Sequence, residues 1–138
     1  MERIQIDDGS KVYEIQNLEG ITLGHIRINP SDTNIVERYE AASKELNEYL
    51  ATLDDNITEE KFVEVQKTIV DKISALVGED TSRTFFSICG PLTPLASGKI
   101  YVENVLEAVS GIIEAETGKR MEAVNKHVDE YLEKYTKK

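Results

Sequence analysis

The side chains that most often carry catalysis or bind metals are scarce and scattered in this sequence. Histidine occurs twice, at His25 and His127, and neither has a neighbour at the spacing typical of paired metal ligands. The single cysteine, Cys89, cannot form a disulfide within the chain, and a lone cysteine most often serves as a small apolar core residue. We therefore predict no catalytic residue, no metal site and no cofactor.

Three pairs of adjacent acids are the remaining candidates for acid–base chemistry. They are Asp7-Asp8, Asp54-Asp55 and Glu59-Glu60, each in a predicted turn or first helical turn. Aspartate favours turns because it accepts hydrogen bonds from nearby backbone N–H groups, and the helix dipole favours acids near a helix N-terminus. Location alone explains the pairs, so a small enzyme built around Asp54, Asp55 or Cys89 is the weaker hypothesis.

Length, charge and hydrophobicity exclude several classes of protein. The chain has 138 residues, 40% of them hydrophobic and 30% charged, which is the size of one ordinary domain. A net charge of −10 repels phosphate backbones, so we expect no nucleic-acid partner. No apolar run approaches the roughly 20 residues that cross a bilayer, and no secretory signal is recognisable. We expect a soluble protein of a reducing compartment.

Alternating apolar residues predict three short strands at the beginning of the sequence. The segment 4–6 precedes the turn signal Asp7-Asp8-Gly9, and the segment 12–15 follows it. A third strand over residues 21–28 changes phase at Gly24-His25, which predicts a bulge. Such a small sheet is barely stable alone and must pack on helices.

Two amphipathic helices are predicted next, from apolar residues that recur three or four positions apart. The first begins near residues 32–34, after Pro30 stops the strand. The second is capped by Asn56 or Thr58 and ends at Gly78.

The remaining sequence predicts a short helix and a long helical segment. Asp80 is expected to cap the short helix, which ends at Gly90-Pro91, and the long segment resumes near Lys99. The sequence leaves open whether Gly118 divides that segment. We thus predict an α+β fold in a single domain, with a three-stranded antiparallel sheet in residues 1–28 and four or five helices in residues 31–138.

Six apolar side chains are predicted to contact a partner. Four lie in a segment broken by two prolines, where large side chains cannot all point into one core, and two lie near the end of the sequence. They are Phe85, Phe86, Leu92, Leu95, Tyr131 and Tyr135. The alternative is that they seal the helical layer of the fold.

The order of several segments resembles that of a phage protein family. The hairpin is followed by the run at residues 29–39, then by Phe85-Phe86, Gly90-Pro91-Leu92, residues 101–108 and the closing residues 134–138. This order is similar to that of the prophage tail assembly chaperones of long-tailed phages of Gram-positive hosts.

The resemblance implies a protein without enzymatic activity that works in the cytoplasm of the bacterial host. Such chaperones keep the tape measure protein soluble, help the tail tube polymerise around it and are absent from the virion. In related systems a longer product arises by translational frameshifting. The resemblance carries over no catalytic residues, and whether copies form a homo-oligomer stays open.

Charge supports a second hypothesis, an acidic interaction or regulatory module that mimics nucleic acid. Residues 32–64 hold ten acids and three bases, whereas residues 119–138 carry six bases and four acids. A solvated helix face produces similar statistics, so this remains the alternative.

Overall fold

The computed structural model describes residues 1–54 and 56–136. This part of the chain contains two strands and four helices joined by turns and connectors. In chain order they are β1 (Lys11–Gln16), β2 (Thr22–Ile28), α1 (Ile35–Ala51), α2 (Glu59–Val77), α3 (Glu79–Ile88) and α4 (Tyr101–Thr136). Near the end of α4, the side chains of residues 120, 123, 127 and 129–136 lie outside the description. The predicted α+β class is confirmed, but the described sheet has two strands instead of three.

β1 and β2 form an antiparallel hairpin whose register runs from Lys11 opposite Ile28 to Gln16 opposite Thr22. The register shifts between Ile15 and Gln16, which leaves Leu23 as the extra residue of β2. A bulge is therefore present, one residue before the predicted position.

The strand predicted over residues 4–6 is wrong, because residues 1–10 contain no strand. The predicted turn at residues 7–9 is wrong as well, because this segment contains neither a turn nor a bend. Had that turn formed, it would place Ile4 opposite Val12 and Arg3 opposite Tyr13 in a paired strand. Tyr13 packs toward the helices and Val12 faces solvent, so the isoleucines of such a strand would point away from the core. The apolar alternation of residues 4–6 therefore has no helix to pack against on that face of the sheet.

The ends of the helices follow local chemistry. The backbone N–H of Lys61 donates to Oγ1 of Thr58 at 3.2 Å, so Thr58 is the residue that caps α2. Gly78 ends α2 with a φ of +92° and also precedes α3, which places Asp80 inside the first turn of α3 and not at its cap. α4 runs through Gly118 without a break.

The core lies where the inner face of the hairpin meets the four helices. β2 contributes Ile26 and Ile28, and each helix adds a buried stripe with the 3.6-residue period. The most deeply buried side chains include Ile35, Leu46, Val65, Ile69, Ile73, Val102 and Val109. Burial along α4 ends at Ile113, among residues whose side chains are described.

Candidate functional site

An open apolar cleft of about 450 Å³ lies between the turn end of the hairpin, α3, the connector that follows α3 and the first turns of α4. The hairpin contributes Ile15, Leu18 and Leu23, and the helices and connector contribute the opposite wall. That wall includes Phe85, Ile88, Leu95, Tyr101 and Val105. Four chain segments thus converge on one concave, mostly apolar surface, which is the usual form of a binding site.

A buried hydrogen bond fixes the floor of the cleft. The hydroxyl of Tyr101 donates to the carbonyl oxygen of Phe85 at 2.7 Å, which ties the start of α4 to α3. The ring of Phe86 meets the ring of Tyr101 edge to face, with centroids 6.1 Å apart. Burial raises the pKa of Tyr101 to about 12, so the phenol keeps its proton further into the alkaline range than an exposed tyrosine does.

Close packing holds the hairpin against α3 on the other side of the cleft. Oγ1 of Thr81 donates to the carbonyl oxygen of Arg27 at 2.7 Å. Gly24 lies so near α3 that a Cβ atom there would stand 3.1 Å from Cγ2 of Thr84. Glycine therefore allows the strand to approach α3 closely, and a Cβ atom at this position would press on the methyl group of Thr84.

The connector between α3 and α4 is also held by backbone hydrogen bonds. The N–H of Leu95 donates to the carbonyl of Lys99 at 2.8 Å, and the N–H of Tyr101 donates to the carbonyl of Thr93 at 2.9 Å. A further bond of 2.9 Å joins the N–H of Val102 to the carbonyl of Pro91. These bonds hold the connector as a fixed wall that presents Leu95 to the cleft.

The mouth of the cleft exposes apolar surface to solvent. Leu18, in the hairpin turn, is fully exposed, and Leu23 is 42% exposed. Oδ1 of Asn17 accepts hydrogen bonds from the N–H groups of Glu19 and Ile21, which fixes the turn that carries Leu18. Of the described residues that line the cleft, Tyr101 alone has a titratable side chain. The cleft is therefore suited to an apolar segment and not to a charged metabolite.

The cleft brings together two of the six predicted contact residues. Phe85 forms its floor and Leu95 its wall. Phe86 and Leu92 are half-buried against the core outside the cleft lining, as the alternative of a sealed helical layer predicts. Tyr131 and Tyr135 lie on α4, but their side chains fall outside the described part of the structure.

Sequence reasoning missed the hairpin side of the cleft. Leu18 and Leu23 were not singled out, although both carried a signal. Leu18 is a large apolar residue in an otherwise polar turn, and Leu23 sits beside the predicted bulge. A single exposed apolar residue needs no explanation, whereas a contiguous apolar patch marks an interaction site, so these two leucines become informative once they line the same cleft.

A second exposed apolar surface follows the distal part of α4. This helix of 36 residues is about 54 Å long at 1.5 Å per residue. Met121, Val124 and Val128 lie at helical spacing beyond the last buried residue, and each is about half exposed. The stripe predicted through Tyr131 and Tyr135 thus begins on a part of α4 that lacks core contacts in its described side chains.

The described side chains that were considered for catalysis or metal binding do not lie together in one site. Asp54 lines a separate cavity at the link between α1 and α2, whereas Cys89 is half-buried at the end of α3. His25 is exposed on β2, and Asp55 and the His127 side chain lie outside the described residues. Within the described ranges, no three His, Cys, Asp or Glu side chains group as metal ligands would. None of the described helices combines the length and apolar character that a membrane span requires.

Comparisons with protein-family models, curated proteins and solved structures give no match for this chain. The geometry of the cleft and the order of sequence segments are therefore the observations that bear on function.

Proposed function

We propose that this protein is a non-enzymatic assembly chaperone, similar to the tail assembly chaperones of long-tailed phages. It binds an apolar helical segment of the tape measure protein, the tail tube protein, or both, while the tail is built. The observation that carries the proposal is the open apolar cleft, whose mouth leaves Leu18 and Leu23 exposed. The segment resemblance supplies the class of client.

The magnitudes are compatible with reversible binding. Covering one exposed leucine contributes about 1.5–3 kcal/mol, at roughly 25 cal/mol per Å² of apolar surface removed from water. Two leucines and the apolar wall behind them therefore give a useful gross contribution, from which the costs of association must be subtracted. The net charge of −10 keeps such a complex dispersed through mutual repulsion.

Co-expression with a tape measure protein and, separately, with a tail tube protein tests the proposal. We expect the soluble fraction of at least one client to rise when this chain is present, and the two proteins to co-purify. If both clients stay equally insoluble with and without the chain, the chaperone proposal fails.

The acidic surface of α1 supports a second candidate, the module that mimics nucleic acid. Glu37, Glu40 and Glu48 are exposed on this helix, and Glu45 approaches Lys72 of α2 at 3.4 Å. A partner that binds this surface would be a basic nucleic-acid-binding protein, and its affinity would fall steeply with salt. Recovery of such a partner by pull-down at low salt, and its release at high salt, would favour this candidate. Salt-insensitive binding of an apolar client would favour the chaperone.

A further inference from the structure

The distal part of α4 carries an apolar face of the kind that helices insert into grooves. It runs about 34 Å beyond Ile113, the last buried residue of α4 among the described side chains, at 1.5 Å per residue. Met121, Val124 and Val128 have the i, i+3 and i+7 spacing by which amphipathic helices anchor in apolar grooves. Each of these side chains is about half exposed. We call these three residues the α4 stripe.

The apolar cleft lies at the other end of the same helix. Residues from Tyr101 to Ala108 line it, whereas the α4 stripe begins at Met121. Val105 and Val124 are about 28 Å apart along this helix, which is continuous. A continuous helix cannot fold back to bring its own stripe to its own cleft. An α4 stripe that enters a cleft must therefore come from another copy of the chain.

Charge favours a contact between the distal part of α4 and the body of a second copy. Residues 119–138 carry six bases and four acids, whereas residues 1–118 hold ten bases and twenty-two acids. Glu19 and Glu107 are exposed beside residues that line the cleft, and Glu107 also pairs with Lys99. Opposite net charges steer two copies together in this arrangement, whereas two distal segments of the same sign repel each other.

We propose that the α4 stripe of one copy occupies the apolar cleft of another copy when no client is bound. The stripe covers Leu18 and Leu23, the exposed leucines at the mouth of the cleft, and its own half-exposed side chains leave water in the same contact. Self-association and client binding then compete for one surface. This inference rests on the proposed function, because it assigns a second apolar helical ligand to the same cleft.

Disulfide cross-linking between copies of the full chain tests the contact directly. In a Cys89→Ser background, Leu18→Cys places a thiol at the mouth of the cleft and Val124→Cys places one in the α4 stripe. We expect their mixed disulfide to form roughly tenfold faster than that of Val63→Cys with Val124→Cys, because binding raises the local thiol concentration. Val63 is the matched control, an exposed apolar residue outside the cleft.

Two results of the cross-linking would overturn the proposal. Equal rates for the two mixtures would mean that the cleft has no preference for the α4 stripe. A disulfide between two Val124→Cys chains that forms faster than the mixed disulfide with Leu18→Cys would mean that two stripes pair with each other.

Sedimentation equilibrium over a range of protein concentrations measures the strength of the contact. We expect the average mass of the wild type to rise with concentration, and Val124→Asp to weaken this association about tenfold or more, because it places a charge in an apolar contact. Asn125→Asp adds the same charge at the next exposed position, off the stripe, and should have little effect. A wild type that stays monomeric throughout, or equal weakening by both variants, would contradict the proposal.

Two variants distinguish failure of this contact from failure of the proposed function. Val124→Asp should lose self-association and still keep a co-expressed tape measure protein soluble, whereas Leu18→Asp should lose both properties. If Leu18→Asp loses only client solubility, the α4 stripe does not occupy the cleft and the proposed function stands. If Leu18→Asp loses only self-association, the cleft serves contacts between copies and the proposed function fails.

Discussion

At the scale of single residues, Tyr101 should make stability depend on alkaline pH. Its pKa is raised from 10.0 to about 12 in the folded protein, because burial disfavours the phenolate. The unfolded chain therefore loses this proton first, so stability is fully present below pH 10 and is lost as pH rises from 10 toward 12. Urea unfolding of the wild type and of Tyr101→Phe across this range checks the sign.

The variant separates the titration from the hydrogen bond. Tyr101→Phe should cost about 1 kcal/mol at neutral pH, because the carbonyl of Phe85 loses its donor. Its stability should then fall less steeply than that of the wild type above pH 10. Equal slopes for the two proteins would mean that Tyr101 is not the buried phenol described here.

Gly24 should be the residue that sets the distance between the hairpin and α3. Gly24→Ala places a Cβ atom about 3.1 Å from Cγ2 of Thr84, so we expect a loss of about 1–3 kcal/mol in the free energy of unfolding. Thr84→Ser removes that methyl group and should recover part of the loss in the double variant. A double-mutant cycle by chemical denaturation measures this coupling, and strictly additive effects would contradict the close approach.

At the scale of elements, the two glycines Gly111 and Gly78 should respond in opposite ways to alanine. Gly111 lies inside α4 with open space around it, so Gly111→Ala should raise the free energy of unfolding by about 0.5–1 kcal/mol. Gly78 has a φ of +92° and a ψ of 157°, a region that is essentially restricted to glycine. Gly78→Ala should therefore cost about 1–3 kcal/mol. Thermal and urea unfolding check both, and a loss of stability in Gly111→Ala would contradict the continuity of α4.

Helices were predictable here because their signals are local. The apolar period located α1 and α2, Gly78 located the end of α2, and the structure confirms these elements. The start of α2 was narrowed to a cap at Asn56 or Thr58, of which Thr58 is the one observed. The absence of a strand at residues 4–6 was not predictable, because alternation does not reveal which face of the sheet the helices cover. The unbroken α4 was equally beyond the sequence, since one interior glycine costs only about 1 kcal/mol and neighbouring helical residues offset it.

At the scale of the whole molecule, excess negative charge should make stability rise with salt. The ion pairs are mostly exposed, such as the pair of Arg83 with Asp80, and each contributes about 0–1 kcal/mol. Repulsion among the excess acidic side chains, which give the net charge of −10, acts over longer distances than an ion pair does. Salt therefore screens this repulsion more strongly than it screens the ion pairs. We expect the unfolding midpoint to rise from low salt to physiological ionic strength. A falling midpoint would show that the ion pairs outweigh the repulsion.

The cleft was only half visible in the sequence because its two walls come from distant segments. The proline-broken segment indicated Phe85 and Leu95, since large apolar residues cluster there. The hairpin wall depends on tertiary contacts with α3, namely that of Gly24 with Thr84 and that of Arg27 with Thr81, which no local pattern encodes. For a site that lies between elements, the sequence can thus indicate individual lining residues, but it does not indicate how the two walls come together.

The central claim is that the cleft binds an apolar client, and three single variants test it most directly. Leu18→Asp and Leu23→Asp place a charge at the mouth of the cleft, whereas Val63→Asp places the same charge on an exposed apolar residue of α2 outside it. The measurement is the soluble fraction of a co-expressed tape measure protein, with circular dichroism confirming that each variant folds. The account predicts that the wild type and Val63→Asp keep the client soluble and that both cleft variants do not. Equal solubility with all four proteins would contradict it.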